Sequence, residues 1–469
     1  MTLREAGQRS IPGTTKGRGP DHCPCYPCRV ESTDVAVVGA GAAGLACARE
    51  LRRQGFRVAV FEARGRIGGR ILTHRDARVP LPAELGAEFI HGEAAETHRI
   101  LAEMGLVACD IGGEHRQAAR GKLRPARGFW RQIDRVLQRI DPEGPDESFA
   151  AFLARRPGGR SLARARTAAR EFVQGFHAAG VNEIGVLSIA PEPGEAPSES
   201  VARTGRVLQG YDQIPHWLAR DLGDVLHLRT QVVEIAWERG QVELTLRRES
   251  GETSRVRARA AVVTVPLGVL QAPPDEPGGL RLRPDPPRIR KALSQLAMGS
   301  VVRLVVWFRD VPWKDLPGPD LDRLSFLHVR GGPFNVWWTA YPMRSPLAVA
   351  WSGGPPAAAL AGKNTDEIAA TALRALADNL GISHRRVSSR VLAAWSHDWE
   401  SDPFSRGAYS YARVGGSRAA AALARPVEGT LFFAGEATDA AGRTGTVEGA
   451  LATGLRAARQ VSRSISSAD

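Results

Sequence analysis

Three glycines, one carboxylate and a cluster of arginines carry the first chemistry that can be read from this chain. Gly39, Gly41 and Gly44 follow the spacing GxGxxG inside "VAVVGAGAAGLACARELRRQGFRVAVFEARGRIGGR", which runs from Val35 to Arg70. In that pattern the first glycine permits a tight turn, the second lets a pyrophosphate approach the backbone, and the third lets a helix pack on a strand. Glu62 stands 18 residues past Gly44, where a carboxylate accepts hydrogen bonds from a ribose diol. Ala43 and Ala63 sit beside these contacts and join the candidate set. Arg64, Arg66, Gly68, Gly69 and Arg70 then add cations and bare backbone, suited to a ligand with further phosphate and ribityl surface. The set reads as a dinucleotide site. The fingerprint alone leaves NAD and FAD open.

Such a site needs a strand, a turn, a helix and a second strand in that order. Val35 to Val38 is a short apolar run, as expected of a strand buried on both faces of a parallel sheet. Leu45 to Gln54 places Leu45, Ala48 and Leu51 on one helical face and ends at Gly55. Val58 to Phe61 is the second strand and delivers Glu62. The helix N-terminus then faces the anion.

The chain has 469 residues, room for two or three domains around a large core. A hydrophobic fraction of 43% and a mean hydropathy of −0.22 are those of a soluble globular protein. No stretch has the length of uninterrupted apolar residues that a membrane helix requires, and the opening "MTLREAGQRS" has no apolar core. The expected location is cytoplasmic, with no membrane partner. The net charge is +13, but the arginines are dispersed, as in "SLARARTAAREF", so the basic balance reads as a solvated surface and disfavours nucleic acid as a partner. Cys23, Cys25 and Cys28 crowd into "HCPCYPC" beside His22. The spacing is cramped and no second ligand pair closes it, so no metal site is expected there. Cys47 is read as a helix packing residue.

Residues 1–31 read as a flexible arm. A helical, arginine-rich region follows the nucleotide unit from Glu93 to Arg203 and is broken by "EPGEAPSES". The stretch "VLHLRTQVVEIAWERGQVELTLRRES" alternates apolar and polar residues about Arg239-Gly240, a β-hairpin signature, and leads into the buried strand of "AAVVTVPLGVL". A second intervening segment holds the strand "SVVRLVVWF" and a helix that starts near Thr365 and stops at Gly381. Two alternating kinds of segment imply two interleaved domains: 32–92, 203–285 and 391–464 in one, 93–202 and 286–390 in the other.

The C-terminal stretch "LFFAGEATDAAGRTGTVEGALATGLRAARQV", together with "RIGGR", "LPAELGAEFIHG" and "VVTVPLGVL", resembles the flavin-containing amine oxidase family, on its polyamine oxidase and histone lysine demethylase side. The likeness runs from Asp34 to Val461. It implies an α/β fold in which a Rossmann-like FAD-binding domain is interleaved with a substrate-binding domain of mixed sheet plus helices. It implies FAD as cofactor, with Gly39, Gly41 and Gly44 along the pyrophosphate, Glu62 on the adenosine ribose, and Arg64, Gly69 and Arg70 along the phosphates and ribityl chain. Gly86, Ala87 and Glu88 match the segment beneath the isoalloxazine, Val233 the adenine contact, and Gly435 and Glu436 the ribityl side. Thr446 and Val447 bring helix N-terminal amides to the flavin pyrimidine. Trp395 resembles a flavin-flanking tryptophan, Tyr409 an active-site aromatic, and His91 a histidine that faces substrate.

The resemblance also marks departures. Ala408 stands where monoamine oxidases carry the cysteine that bonds the flavin, so the FAD is expected to be non-covalent. Thr446 replaces a second cage tyrosine. Arg303, in "LAMGSVVRLVVWF", replaces a lysine that holds a water against flavin N5, and is expected to keep a water-mediated contact there. The implied reaction is hydride transfer from the carbon alpha to a neutral amine onto flavin N5, imine hydrolysis, and reduction of oxygen to hydrogen peroxide. The partners are thus a small amine and oxygen. A desaturase or porphyrinogen-type oxidase, and a flavin-bearing scaffold without turnover, are the alternatives.

Overall fold

A computed structural model describes residues 31–119, 121–191, 203–316 and 321–466. Residues 1–30 of the N-terminal arm, with its three cysteines, and the stretch "EPGEAPSES" lie outside the described residues, while Glu31, the arm's last expected residue, opens the first strand. Among the described residues no helix is long and apolar enough to cross a membrane.

The nucleotide unit forms as its pattern requires. The strand Glu31–Val38 leads to Gly41, the N-cap of the helix Ala42–Arg53, and the strand Val58–Phe61 returns parallel to the first. Val35 and Val37 pack on one face of the sheet with that helix, whereas Ala36 and Val38 pack on the other. Both faces are buried, which is why the run carries no polar alternation. The sheet has eight strands in the order Leu226–His227, Val58–Phe61, Glu31–Val38, Thr253–Val263, Gln241–Arg248, Thr230–Glu238 and Arg281–Arg283, with Leu431–Phe433 also on Thr253–Val263. Thr253–Val263 is shared. Its first part pairs antiparallel with the hairpin strand Gln241–Arg248, and its last residues, Ala261 to Val263, pair parallel with Leu431 to Phe433. The C-terminal helix Val447–Ser466 lies against Ala42–Arg53, where a Cβ on Gly454 would stand 2.3 Å from the Ala43 carbonyl oxygen.

A second sheet of seven strands is ordered Val391–Trp395, Val301–Phe308, Leu347–Gly353, Val336–Thr339, Leu324–His328, Glu114–Ala119 and Lys122–Pro125. The helix Thr365–Leu380 covers it, opened by a reciprocal Asn364–Glu367 capping box and closed by Gly381 at φ +65°. Two boundaries drawn from sequence fall elsewhere in space. Val391–Trp395 pairs with Val301–Phe308 and belongs to this sheet, and the helix Ala95–Met104 buries Ile100 and Leu101 in the nucleotide-side core.

Candidate active site

One cavity of about 1290 Å³ runs between the two sheets, and every site residue expected from sequence lines it except Gly44, Arg66, Val233 and Trp395. It exceeds the usual size of a small-molecule pocket and has room for a dinucleotide together with a substrate.

At one end lies the glycine turn. Gly39 sits at φ +105°, which favours glycine, while a Cβ on Gly41 would meet nothing within 4 Å. Gly41 thus leaves a cradle that a side chain would fill, as a pyrophosphate site requires. Gly44 does not line the cavity, because its task is packing: a Cβ there would stand 2.0 Å from the Gly39 carbonyl oxygen. The buried Glu62 carboxylate accepts the Ala40 N–H through Oε2 at 2.8 Å and the Arg64 N–H through Oε1 at 2.9 Å. These bonds fix its orientation and leave lone pairs for a diol. Arg64 lines the cavity and is anchored through Nη2, which donates to Asp402 at 2.7 and 2.8 Å and to the Ser405 hydroxyl at 2.8 Å. Burial alone would raise the Asp402 pKa, but hydrogen bonds from His397 and Arg64 hold it well below the usual carboxylate range.

Further along, Arg70 donates to the Ala408 carbonyl and to Glu436, both at 2.8 Å. Glu436 also accepts the Ser410 hydroxyl at 2.7 Å and the Gly445 N–H at 3.0 Å. The carboxylate therefore ties three chain segments together at the cavity wall. Thr446 caps the helix Val447–Ser466: its hydroxyl accepts the Gly449 N–H at 2.9 Å. With the hydroxyl so used, the helix N-terminus meets the cavity through backbone amides, a partial positive charge suited to an electron-rich ring edge.

The wall at Gly86 departs from expectation. Arg303 Nη1 donates to the Gly86 carbonyl at 3.0 Å, and Nη2 pairs with Glu88. These two bonds orient the guanidinium against the wall, and its Nε is buried with no protein partner among the described residues. Glu88 in turn receives Arg206 Nε at 2.7 Å and the Trp338 indole N–H at 3.0 Å. Burial would raise the Glu88 pKa, but the two guanidinium groups outweigh it and keep the carboxylate ionised.

The opposite end of the cavity is aromatic. Tyr409 donates its hydroxyl to the Phe176 carbonyl at 2.6 Å and its ring lies over Gly445, while the Trp351 indole donates to the Gly175 carbonyl at 2.9 Å. The last carbonyls of the helix Ala163–Phe176 are thus held by donors from two neighbouring strands. His91 packs edge-on against Phe89 and Phe176. Burial lowers its pKa to about 4, so the ring is neutral near pH 7. Its Nδ1 is buried with no hydrogen-bond partner among the described residues. His115 and His328 stack with Nδ1 3.3 Å from Nε2, and burial lowers them to about 4 and about 3. Indoles, phenyl rings and neutral imidazoles make this end an apolar chamber, an environment that disfavours the charged form of an ionisable ligand.

Two expected contacts are displaced. Val233 lies outside the cavity, which Gln231 and Val232 line instead, because the strand carries a bulge between Val232 and Glu234. Trp395 packs toward His74 in the second sheet, and Trp399 lines the cavity, with its indole on the Leu85 carbonyl at 2.9 Å. Sequence reasoning also missed the chamber residues His115, Phe172, Phe176, His328 and Trp351. They come from four separate segments with no shared motif.

A parallel-sheet dinucleotide turn facing an enclosed aromatic chamber defines a flavoprotein-type oxidoreductase architecture. The family model described as flavin containing amine oxidoreductase matches residues 42–120 and 114–462, and the chain belongs to that family. It is 29% identical to polyamine oxidase 3 of Oryza sativa subsp. japonica, covering 90% of this chain and 88% of that protein. It is 27% identical to the lysine-specific histone demethylase 1 homolog 3 of Arabidopsis thaliana, over 93% of this chain but only 30% of that longer protein. Its fold is that of a putrescine oxidase solved with putrescine (TM-score 0.75, 23% identity, 92% of this chain and 100% of that one). Cyclohexylamine oxidase from Brevibacterium oxydans shares it as well (TM-score 0.74, 20% identity, 92% and 99%).

Proposed function

We propose that this protein is an FAD-dependent amine oxidase that converts a small amine to its imine, which water hydrolyses, while oxygen is reduced to hydrogen peroxide. Bound FAD supplies the two-electron acceptor for a hydride from the carbon next to nitrogen. The residues do the rest. The Gly39–Gly44 turn and Glu62 anchor the dinucleotide, Arg70, Glu436 and the amides at Thr446 and Val447 border the ring, and Ala408 offers no thiol, so attachment is non-covalent. Tyr409, Trp351, Phe176 and Phe172 enclose the amine and exclude water. The His91 imidazole, with a pKa of about 4, is a weak base, so the neutral amine is selected by desolvation rather than made by His91.

The observation that carries the reading is the single cavity joining the glycine turn to the aromatic chamber. A lysine side chain in a peptide is the second reading, favoured by the demethylase relative and opposed by the net charge of +13, which repels lysine-rich partners. Mixing the purified yellow protein anaerobically with a panel of mono-, di- and polyamines and a dimethyl-lysine peptide decides between them. Bleaching of the flavin band by a small amine, with peroxide on readmitting air, is expected. Bleaching by the peptide alone selects the second reading, and bleaching by none leaves a flavin scaffold.

A further inference from the structure

Arg206 belongs to none of the sequence motifs, yet it completes a charged cluster in the cavity wall. It lies on the strand Thr204–Val207, directly opposite Phe89 across a strand pair, and Glu88 is the residue just before. Arg303 reaches the same carboxylate from the second sheet. The three side chains are 8%, 5% and 4% exposed in the order Arg206, Glu88, Arg303. Arg206 spends its remaining donors on the carbonyls of Thr339, Ala340 and Tyr341 at 3.0–3.3 Å, which are neutral acceptors. Arg303 adds the Gly86 carbonyl and a stack on the Trp338 ring at 5.3 Å. Two permanent cations thus share one carboxylate, a surplus of one positive charge. The other buried acid near Arg303 is Glu84, held by Tyr211 N–H and Thr73; burial raises its pKa to about 7, so near neutrality it supplies only part of a counter-charge.

We propose that Arg206, Glu88 and Arg303 form an electrostatic unit that holds a net positive charge in the wall at Gly86 and thereby sets how strongly reduced flavin is favoured over oxidised flavin. This role for the unit presupposes the FAD chemistry proposed above. Accepting a hydride brings two electrons and one proton, and so adds one negative charge to a flavin. A fixed, water-excluded cation beside the ring stabilises that charge with no reorganisation. Glu88 is the governor: it cancels one guanidinium and leaves the other. Arg206 is then a positioning residue that keeps Glu88 from neutralising Arg303.

The test uses opposite signs. In the FAD-loaded protein, Glu88→Gln removes the negative charge at constant shape, Arg303→Met removes a positive one, and Arg303→Lys keeps it. Midpoint potentials from equilibration with reference dyes are expected to rise for Glu88→Gln and fall for Arg303→Met. Each shift should correspond to at least about tenfold in the reduced-to-oxidised ratio, roughly 30 mV for a two-electron couple. Arg303→Lys should stay within about threefold. The affinity for sulfite, which adds to flavins as an anion, should follow the same order. Should Arg303→Met lose its flavin, Arg206→Met carries the sign, with a smaller fall expected. Shifts in the same direction for Glu88→Gln and the arginine-to-methionine variant, or none above threefold, overturn the proposal and leave the cluster a purely structural clamp. A wild-type protein that binds no FAD instead overturns the functional reading.

Discussion

Gly41 and Gly44 are three residues apart in one turn, and the structure separates their roles into two measurable quantities. Gly41 has φ −77° and ψ −178° and its missing Cβ would point into open space. Any L-residue adopts that backbone. Gly41→Ala should therefore leave the folded protein as stable as the wild type, or about 0.4–1 kcal/mol more stable through the lost freedom of the unfolded chain. Its methyl occupies the space assigned to the pyrophosphate, so FAD affinity should fall at least tenfold, about 1.4 kcal/mol. At Gly44 the added carbon would lie 2.0 Å from the Gly39 oxygen, 3.0 Å from the Gly39 carbonyl carbon and 2.8 Å from Thr264 Oγ1. Gly39 is itself held at φ +105°, so neither side can yield. Gly44→Ala gains about 1 kcal/mol in helix propensity but pays for overpacking that costs about 1–3 kcal/mol or more. The expected result is a lower melting temperature without FAD. Differential scanning fluorimetry of the apoprotein and flavin fluorescence titration separate the two quantities. An unchanged FAD Kd in Gly41→Ala would refute the assignment of this turn to the pyrophosphate, and an unshifted melting temperature in Gly44→Ala would refute the packing role.

Three further outcomes are expected. Glu62→Gln replaces one oxygen by an amino group, which then faces either the Ala40 or the Arg64 N–H; FAD binding should weaken by about 1.5–3 kcal/mol, the scale of hydrogen bonds to charged groups, and an unaltered Kd in equilibrium dialysis means that the carboxylate only braces the turn. Acid precipitation should release all of the flavin into the supernatant, because Ala408 has no sulfur to hold it; flavin in the pellet would contradict the proposed non-covalent attachment. His91, His115, His177 and His328 are each lowered by burial, to about 4, 4, 4 and 3. The unfolded chain, with imidazoles near 6.5, then binds more protons between about pH 6.5 and 4. Stability contributed by these neutral rings is complete above pH 6.5 and is lost as pH falls toward 4, so the melting temperature should drop steadily across that window, and a flat profile would show the rings to be solvated.

The nucleotide half of the fold was legible because its signals are local. The strand Val58–Phe61 has the bounds the apolar run predicts, whereas the helix Ala42–Arg53 starts three residues before the Leu45 expected from sequence, with Gly41 as its N-cap and Gly44 inside its first turn. Legibility ends where position depends on distant partners. Val233 was placed on the adenine by the family resemblance, and the register shift between Val232 and Glu234 is a local irregularity that such a likeness does not carry. Trp395 and Trp399 both fit a flavin-flanking tryptophan within "WSHDW". The first is committed to the strand Val391–Trp395 by its pairing with Val305, which leaves the second free to reach the cavity. The aromatic chamber draws on the helix Ala163–Phe176 and on strands Glu114–Ala119, Leu324–His328 and Leu347–Gly353. A ring on any one of them reads as core packing until the tertiary fold brings the others beside it.

Arg303 shows how a single such dependence changes a mechanism. The family resemblance puts a lysine at this place, and a compact ammonium can satisfy one carboxylate or hold one water. A guanidinium is a planar fork, and here its two Nη groups reach Glu88 and the Gly86 carbonyl together. With Glu88 alone as partner, Arg303 would be half of a neutral pair and would carry little field to the cavity. Arg206 changes that balance from the far side of the carboxylate, through a strand pairing invisible in the local sequence around either residue. Retaining a cation at 303 thus places it in a cluster with Gly86 and a shared acid, and on the electrostatic proposal its effect should appear first in the flavin potential and only then in the rate.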